Sequence, residues 1–142
     1  MTAQIFYRIG NWCYRKKIPF LPFVFKAIIR VINNCAIDPK TQIGRGTIFG
    51  YGGISVVIHK KSIIGENCII AQNVTIGGKQ SSKGTPIIGD NVQIGAGAVI
   101  LGDIKIGNNV MIGANAVVLK DVESFNVVAG IPAKVIKVID RS

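Results

Sequence analysis

From residue 58 onward, large aliphatic residues recur along the chain at intervals of six. The series is Ile58, Ile64, Ile70, Ile76, Ile88, Ile94, Ile100, Ile106, Ile112 and Val118. The step from Ile76 to Ile88 is a double interval, so it preserves the phase. This period matches neither the helical repeat of about 3.6 residues nor the alternation of a plain strand. It predicts short strands separated by corners, three to a coil, stacked into a triangular prism with the aliphatic residues inside.

Small residues accompany this ladder at two further positions. Glycine often follows the aliphatic residue directly, and we expect it to give the backbone freedom to turn the corner. Four positions after most of the aliphatic residues is another small or β-branched residue, which suits a tightly stacked core. These positions are Cys68, Val74, Val92, Ala98, Ile104, Val110 and Ala116.

Two interruptions break the ladder. An earlier piece, Ile37, Ile43 and Phe49, is out of phase because Phe49 and Ile58 are nine residues apart, which places three extra residues within Gly50–Ile54. The second interruption is a polar, glycine-rich stretch at 77–85, interpreted as a loop that projects from the prism. Loops on a rigid scaffold are where function concentrates, so both interruptions are candidate functional segments.

The pattern divides the chain into three parts. Residues 1–35 have the apolar spacing of one or two short helices and are predicted to cap the open end of the prism. Residues 36–123 form the β-helix, with the projecting loop at 77–86. Residues 124–142 leave the repeat and are predicted to pack back on the β-helix.

Charge adds a second hypothesis for the N-terminal part. The formal net charge is +10, and no Asp or Glu precedes Asp38. A basic amphipathic segment at 1–32 is also suited to peripheral contact with an anionic membrane surface. The apolar run after residue 17 is too interrupted to span a bilayer. Three scattered cysteines are typical of a reducing compartment, so we predict a cytoplasmic protein, with the inner face of the membrane as the further hypothesis.

Several segments resemble a known family: IGENCIIAQNVTIGG from Ile64, IGAGAVILGDIKIGNNVMIGANAVVLKDV from Ile94, and AGIPAKVI from Ala129. Together with the ladder they are similar to the hexapeptide acyltransferases, in particular the serine acetyltransferase-like branch with its short capsule and exopolysaccharide members. The resemblance implies a mainly β fold, a left-handed parallel β-helix that forms homotrimers. It also implies acetyl transfer from acetyl-CoA, with the active site between subunits.

The resemblance also implies residues that contact CoA. Gly78 and Lys79 match the start of the projecting loop, and Ala96 and Ala114 match small residues that let the cofactor approach the backbone. Lys134 matches a basic residue near the nucleotide phosphates, which suits a ligand that carries several phosphates.

His59 is the candidate general base because it is the one histidine and imidazole accepts protons near neutral pH. The resemblance also shows departures. Tyr51 occupies the position of the catalytic histidine of serine acetyltransferases, and Ala36 that of its supporting aspartate. Gly84 and Thr85 replace an Arg-His pair that helps to hold serine. Some short relatives have an arrangement like Tyr51–His59, so Tyr51 is kept as a fallback or supporting residue.

These observations favour an acetyl-CoA-dependent O-acetyltransferase that acts on a sugar hydroxyl of a surface polysaccharide or its precursor, by direct transfer. Serine O-acetyltransferase is the alternative acceptor assignment. A γ-type carbonic anhydrase needs three histidine ligands, so no metal is expected. A non-catalytic β-helix that binds phosphate-rich partners is the alternative of another class. Nucleic acid is not expected, because the aromatic residues do not interleave with a basic face.

Overall fold

The computed structural model describes residues 2–141, which form two helices followed by a β-helix. Helix α1 is Ala3–Arg15 and helix α2 is Leu21–Asn33. The strands are β1 Ala36–Ile37, β2 Gln42–Ile43, β3 Ile48–Phe49, β4 Val57–Ile58, β5 Ile63–Ile64, β6 Ile69–Ile70, β7 Thr75–Gly77, β8 Ile87–Ile88, β9 Gln93–Ile94, β10 Val99–Leu101, β11 Lys105–Ile106, β12 Met111–Ile112, β13 Val117–Val118, β14 Asn126–Ala129 and β15 Lys134–Val138.

The strands form three sheets, and each of the first four coils contributes one strand to each sheet. The first sheet is β1-β4-β7-β10-β13, the second is β2-β5-β8-β11, and the third is β3-β6-β9-β12-β14-β15. All neighbours pair in parallel except β14 with β15. The predicted mainly β fold, a parallel β-helix of hexapeptide repeats, is confirmed.

Three edges separate the sheets, and we name them by chain direction. The first edge joins the first sheet to the second, the second edge joins the second to the third, and the third edge returns the chain to the first sheet of the next coil. Because the strands stack in register, residues that follow equivalent strands lie on the same edge.

The core is the predicted ladder. Ile70, Ile76 and Ile100 have no exposed surface, and the other ladder residues are buried as well. The small residues four positions later are also buried inside the corners. Each coil therefore buries its apolar side chains against its neighbours, as expected for a core that is quasi-one-dimensional.

The glycines after the ladder residues have a different role from the one expected. They do not adopt the left-handed conformation; two residues later, Asn67 and Asn91 do, with φ of 54° and 55°. The glycines are needed because coils approach closely: a Cβ added to Gly65 would lie 2.5 Å from the carbonyl oxygen of Gly89. The prediction that these glycines supply conformational freedom is therefore wrong, since the residue two positions later turns the corner, most often an asparagine and in two coils Gly46 or Gly97.

Helix α1 covers the first coil and satisfies carbonyl groups that have no preceding coil to bond. The Tyr7 hydroxyl donates to the Thr41 carbonyl at 2.5 Å, and the Arg8 guanidinium donates to the carbonyls of Ile43 at 2.8 Å and Gly44 at 2.6 Å. Burial raises the pKa of Tyr7 to about 12, although Arg8 opposes this. Polar side chains of α1 thus donate hydrogen bonds to carbonyl groups of the first coil that would otherwise have no partner.

The other end of the β-helix extends beyond residue 123, where sequence analysis ended it. Strand β14 pairs in parallel with β12, so the ladder continues on the third sheet although its hexad pattern has faded. Strand β15 then pairs antiparallel with β14 and forms the edge of that sheet. Neither helix in the described part of the chain is long and apolar enough to cross a bilayer.

The close approach of coils predicts that alanine destabilises the fold at one glycine and not at another. Gly65→Ala forces a Cβ against the Gly89 backbone, so we expect a loss of about 1–3 kcal/mol in the free energy of unfolding, measured by urea denaturation. Gly78→Ala is the matched control, because its added Cβ would meet nothing closer than 3.6 Å. Equal denaturation midpoints for the two variants would contradict the close-approach explanation.

Candidate functional site

His59 lies on the first edge, in line with residues from the coils on either side. Ile58 pairs with Ile37 of the coil before and with Ile76 of the coil after. Asp38, His59 and Gly77 directly follow these three paired isoleucines, so they stack at the first edge. The His59 N–H donates to the Ile76 carbonyl at 2.8 Å, which joins the histidine to the start of the projecting loop.

The His59 side chain is exposed, and a backbone group holds its ring. The Lys61 N–H donates to His59 Nδ1 at 3.2 Å. A nitrogen that accepts a hydrogen bond carries no proton, so the neutral ring has its proton on Nε2 in this arrangement, and the lone pair of Nδ1 is engaged by Lys61. Nδ1 can therefore accept a proton only after it releases the Lys61 N–H.

Asp38 is the carboxylate one coil below His59, but other groups engage it. Lys26 Nζ on α2 donates to Asp38 Oδ2 at 2.8 Å, and the Lys40 N–H donates to Oδ1 at 3.0 Å. Burial raises the pKa of Asp38, but the hydrogen bonds and charges of Lys26 and Lys40 outweigh it and lower the pKa overall. Asp38 therefore links helix α2 to the β-helix beneath the candidate base.

The projecting loop leaves the same edge directly above His59. It turns at Lys79, whose carbonyl accepts the Ser82 N–H at 2.9 Å, and the side chain of Lys79 is exposed. The loop then leans on the next coil, because a Cβ added to Gly84 would lie 2.2 Å from Asp103 Cγ. Gly78 is exposed at the base of the loop, so its backbone is accessible to a ligand.

Tyr51 lies on the third edge, away from the histidine. The corner that holds it spans 50–56, three residues longer than the equivalent corner at 71–74, as the phase shift of the ladder predicts. Tyr51 has φ of 49° and is 81% exposed. Asn33 at the end of α2 donates to the Gly52 carbonyl at 3.1 Å, so this corner is joined to the helices.

The remaining candidate CoA residues also lie on the third edge. Ala96 and Ala114 follow equivalent strands of consecutive coils, and the Asn115 N–H donates to the Ala96 carbonyl at 2.8 Å. Lys134 begins β15 and pairs with Ala129, whose Cβ would contact a Cβ added to Gly113. All three are therefore along one edge of the prism.

The predicted site residues thus form two groups. His59, Gly78 and Lys79 share the first edge, whereas Tyr51 and the other three share the third edge. Sequence reasoning missed this division, although the spacing holds the signal: residues eighteen apart, such as His59 and Gly77, follow the same sheet. The two edges lie on opposite sides of the first sheet in one chain, and two prisms side by side would bring a first edge against a third edge.

No cysteine is placed as a nucleophile. Cys13, Cys35 and Cys68 are free and buried. Burial raises the pKa of the Cys35 and Cys68 thiols, which lowers the thiolate fraction at neutral pH. Within residues 2–141, no three His, Cys, Asp or Glu side chains are grouped to hold a metal ion.

Comparisons with known proteins give a consistent result. Residues 85–120 match the family model described as bacterial transferase hexapeptide (six repeats). The serine acetyltransferase of Synechococcus elongatus is 43% identical over 86 residues, which are 59% of this chain and 35% of that protein. The solved serine acetyltransferase of Neisseria gonorrhoeae superposes with a TM-score of 0.89 at 32% identity, over 99% of this chain and 54% of that one.

A solved serine acetyltransferase in complex with CoA is also similar. Its TM-score is 0.83 at 34% identity, and the match covers 94% of this chain and 55% of that one. The chain therefore spans about a third of the curated relative's length and about half of each solved structure. The predicted resemblance to the serine acetyltransferase-like branch is confirmed.

The Lys26–Asp38 pair predicts a pH-dependent contribution to stability. Asp38 has a lowered pKa in the folded chain, so its contribution is complete above the unfolded pKa of about 3.9 and is lost as the pH falls through the folded value. Lys26→Met should lower the free energy of unfolding at pH 7 by up to about 1 kcal/mol, since the pair is partly exposed.

Urea denaturation from pH 7 downward tests this. The difference between wild type and Lys26→Met should narrow below about pH 4, the range in which unfolded Asp titrates. Lys26→Arg is the control, because it keeps the charge and should follow wild type. A difference independent of pH would show that Lys26 acts through packing of its methylene groups alone.

Proposed function

We propose that this chain, a hexapeptide-repeat protein of the serine acetyltransferase-like branch, is an acetyl-CoA-dependent O-acetyltransferase. The observation that carries the proposal is the position of His59, exposed on the edge from which the projecting loop departs. The similarity to a serine acetyltransferase solved with CoA supports acetyl-CoA as the donor.

The residues proposed to contact CoA are of two kinds, small residues with an accessible backbone and exposed lysines. Gly78, Ala96 and Ala114 have little or no side chain, so a pantetheine arm can approach their N–H and C=O groups. Lys79 and Lys134 are exposed cations, suited to phosphate oxygens. Their positions on two edges mean that the groove combines the first edge of one prism with the third edge of another.

In the proposed chemistry, His59 accepts the proton of the acceptor hydroxyl as its oxygen attacks the thioester carbonyl. The accepting atom is Nδ1, which must exchange the Lys61 N–H for the hydroxyl. Backbone N–H groups stabilise the negative charge on the carbonyl oxygen. The intermediate then expels the CoA thiolate, which takes the proton from His59. Transfer is direct, and the burial of the three cysteines supports this.

A homotrimer is the proposed assembly. Besides the division of the site between two edges, the outer face of the third sheet presents apolar side chains to solvent. Ile48, Ile69 and Met111 are each more than 40% exposed there. An apolar sheet face of this kind favours association with a second copy of the chain.

Serine is the acceptor that the comparisons support, in preference to the sugar hydroxyl favoured by sequence analysis. The matching curated relative and both solved structures are named serine acetyltransferases. A sugar hydroxyl is the second candidate, because Gly84 and Thr85 stand where the resemblance implies an Arg-His pair that helps to hold serine.

Substitution of the candidate base tests the mechanism. His59→Ala should lower kcat/KM by at least about 100-fold, since general-base catalysis contributes that much or more. Thiol release from acetyl-CoA measures turnover, and calorimetry with CoA should give an unchanged Kd. Tyr51→Phe is the control and should keep activity. Full activity of His59→Ala, with loss in Tyr51→Phe, would transfer the role to Tyr51.

A panel of acceptors tests the substrate assignment. Thiol release should be stimulated by one class among serine, nucleotide sugars and oligosaccharides, and mass spectrometry should find one added acetyl group on that acceptor. Stimulation by serine supports the first candidate, and stimulation by a saccharide alone supports the second. No turnover with any of them, together with no stabilisation by CoA at millimolar concentration, would contradict the enzymatic proposal.

A further inference from the structure

A cavity of about 560 Å³ lies between the turn that joins the two helices and the first edge of the β-helix. One wall comes from the end of α1, the turn and the start of α2. The other wall comes from the first-edge corners of the first two coils, including Lys40 and Lys60. None of the residues assigned to acetyl-CoA lines this cavity.

The cavity is strongly cationic. Four lysines line it, Lys17, Lys26, Lys40 and Lys60, against one carboxylate, Asp38. Lys26 already neutralises that carboxylate at 2.8 Å. Lys17, Lys40 and Lys60 also line it, and within residues 2–141 none of these three forms an ion pair. An anion that enters therefore meets uncompensated positive charge.

The same cavity has an apolar rim. Phe20 is 79% exposed and Phe23 is 70% exposed, and both line the cavity together with Ile18. Exposed apolar side chains that are grouped beside a cavity are typical of ligand-binding or membrane-contact sites. The lining therefore offers an anion site and an apolar contact next to each other.

We propose that this cavity binds a phosphate ester that carries an apolar group. The phosphate oxygens contact Lys17, Lys40 and Lys60, and the apolar group lies on Phe20 and Phe23. A carboxylate would also be attracted, but three separated ammonium donors match the several oxygens of a phosphate better.

The cavity borders the candidate catalytic residue. Lys60 directly follows His59, and Asp38, which also lines the cavity, lies one coil below His59 on the same edge. A phosphate ester held here could present an attached sugar hydroxyl to His59, so the ligand would be the carrier of the second acceptor candidate, the sugar hydroxyl. This role rests on the proposed function, whereas the binding site does not.

Equilibrium binding without acetyl-CoA tests the site separately from the enzymatic proposal. The probe is dodecyl phosphate below its micelle concentration, titrated calorimetrically into the full chain. Inorganic phosphate lacks the apolar group, and dodecyl maltoside lacks the phosphate. We expect dodecyl phosphate to bind at least about tenfold more tightly than either, because only it satisfies both parts of the lining.

Two pairs of variants localise the binding. The double substitution Lys40→Gln with Lys60→Gln should weaken the binding of dodecyl phosphate by about tenfold or more. Lys105→Gln, on the second sheet of a later coil, should leave this binding unchanged. Phe23→Ala should weaken it too, whereas Val31→Ala should not, although Val31 is 83% exposed on the same helix. Circular dichroism and thermal unfolding verify that each variant is folded.

A final arm identifies the source of the ligand. The protein is sedimented with phosphatidylcholine vesicles that contain phosphatidic acid. Binding to these vesicles that is weakened by the paired lysine substitutions indicates a bilayer lipid. Binding of the free ester without vesicle binding indicates a soluble or extracted ester. The proposal would be overturned if wild type and the lysine variants bound dodecyl phosphate with equal affinity. It would also be overturned if wild type bound dodecyl maltoside as tightly as dodecyl phosphate.

Discussion

Each strand of the β-helix donates backbone hydrogen bonds to the strand of the next coil, in an unbroken register. Ile58 lies on Ile76, and Ile76 lies on Ile100. This stacking fixes which side chains are inside and which residues share an edge. Because a residue cannot leave its edge without breaking the bonds of two coils, the position of every candidate site residue follows from it.

The same stacking limits what the corners can be made of. At Gly65 the neighbouring backbone is so close that a single methyl group would collide with it. It also leaves the first coil with carbonyl groups that point at no further strand. Tyr7 and Arg8 of α1 bond to these groups, so the helices complete the hydrogen bonding of the prism. The cavity at the turn between the helices exists because this cap meets the first edge.

The candidate site lies where the regular stacking is interrupted. The long corner at 50–56 puts Tyr51 on the third edge, and the loop after Gly77 projects from the first edge above His59. In the proposed assembly, each chain contributes one side of a groove from its first edge and the other side of a second groove from its third edge. The hydrophobic core is complete in one chain, whereas the proposed active site needs a second copy of the chain.

Hydrophobic spacing alone determined the coil, the inward face, the extra residues before His59 and the loop, because a six-residue period directly reflects three strands per turn. Only the tertiary structure decided what the corners do: asparagines such as Asn67 take the left-handed turn, and glycines such as Gly65 permit contact between coils. It also decided that His59 and Tyr51 lie on different edges and that Lys26 binds Asp38. These features depend on residues far apart in the chain, and a local pattern does not record which of them stacking brings together.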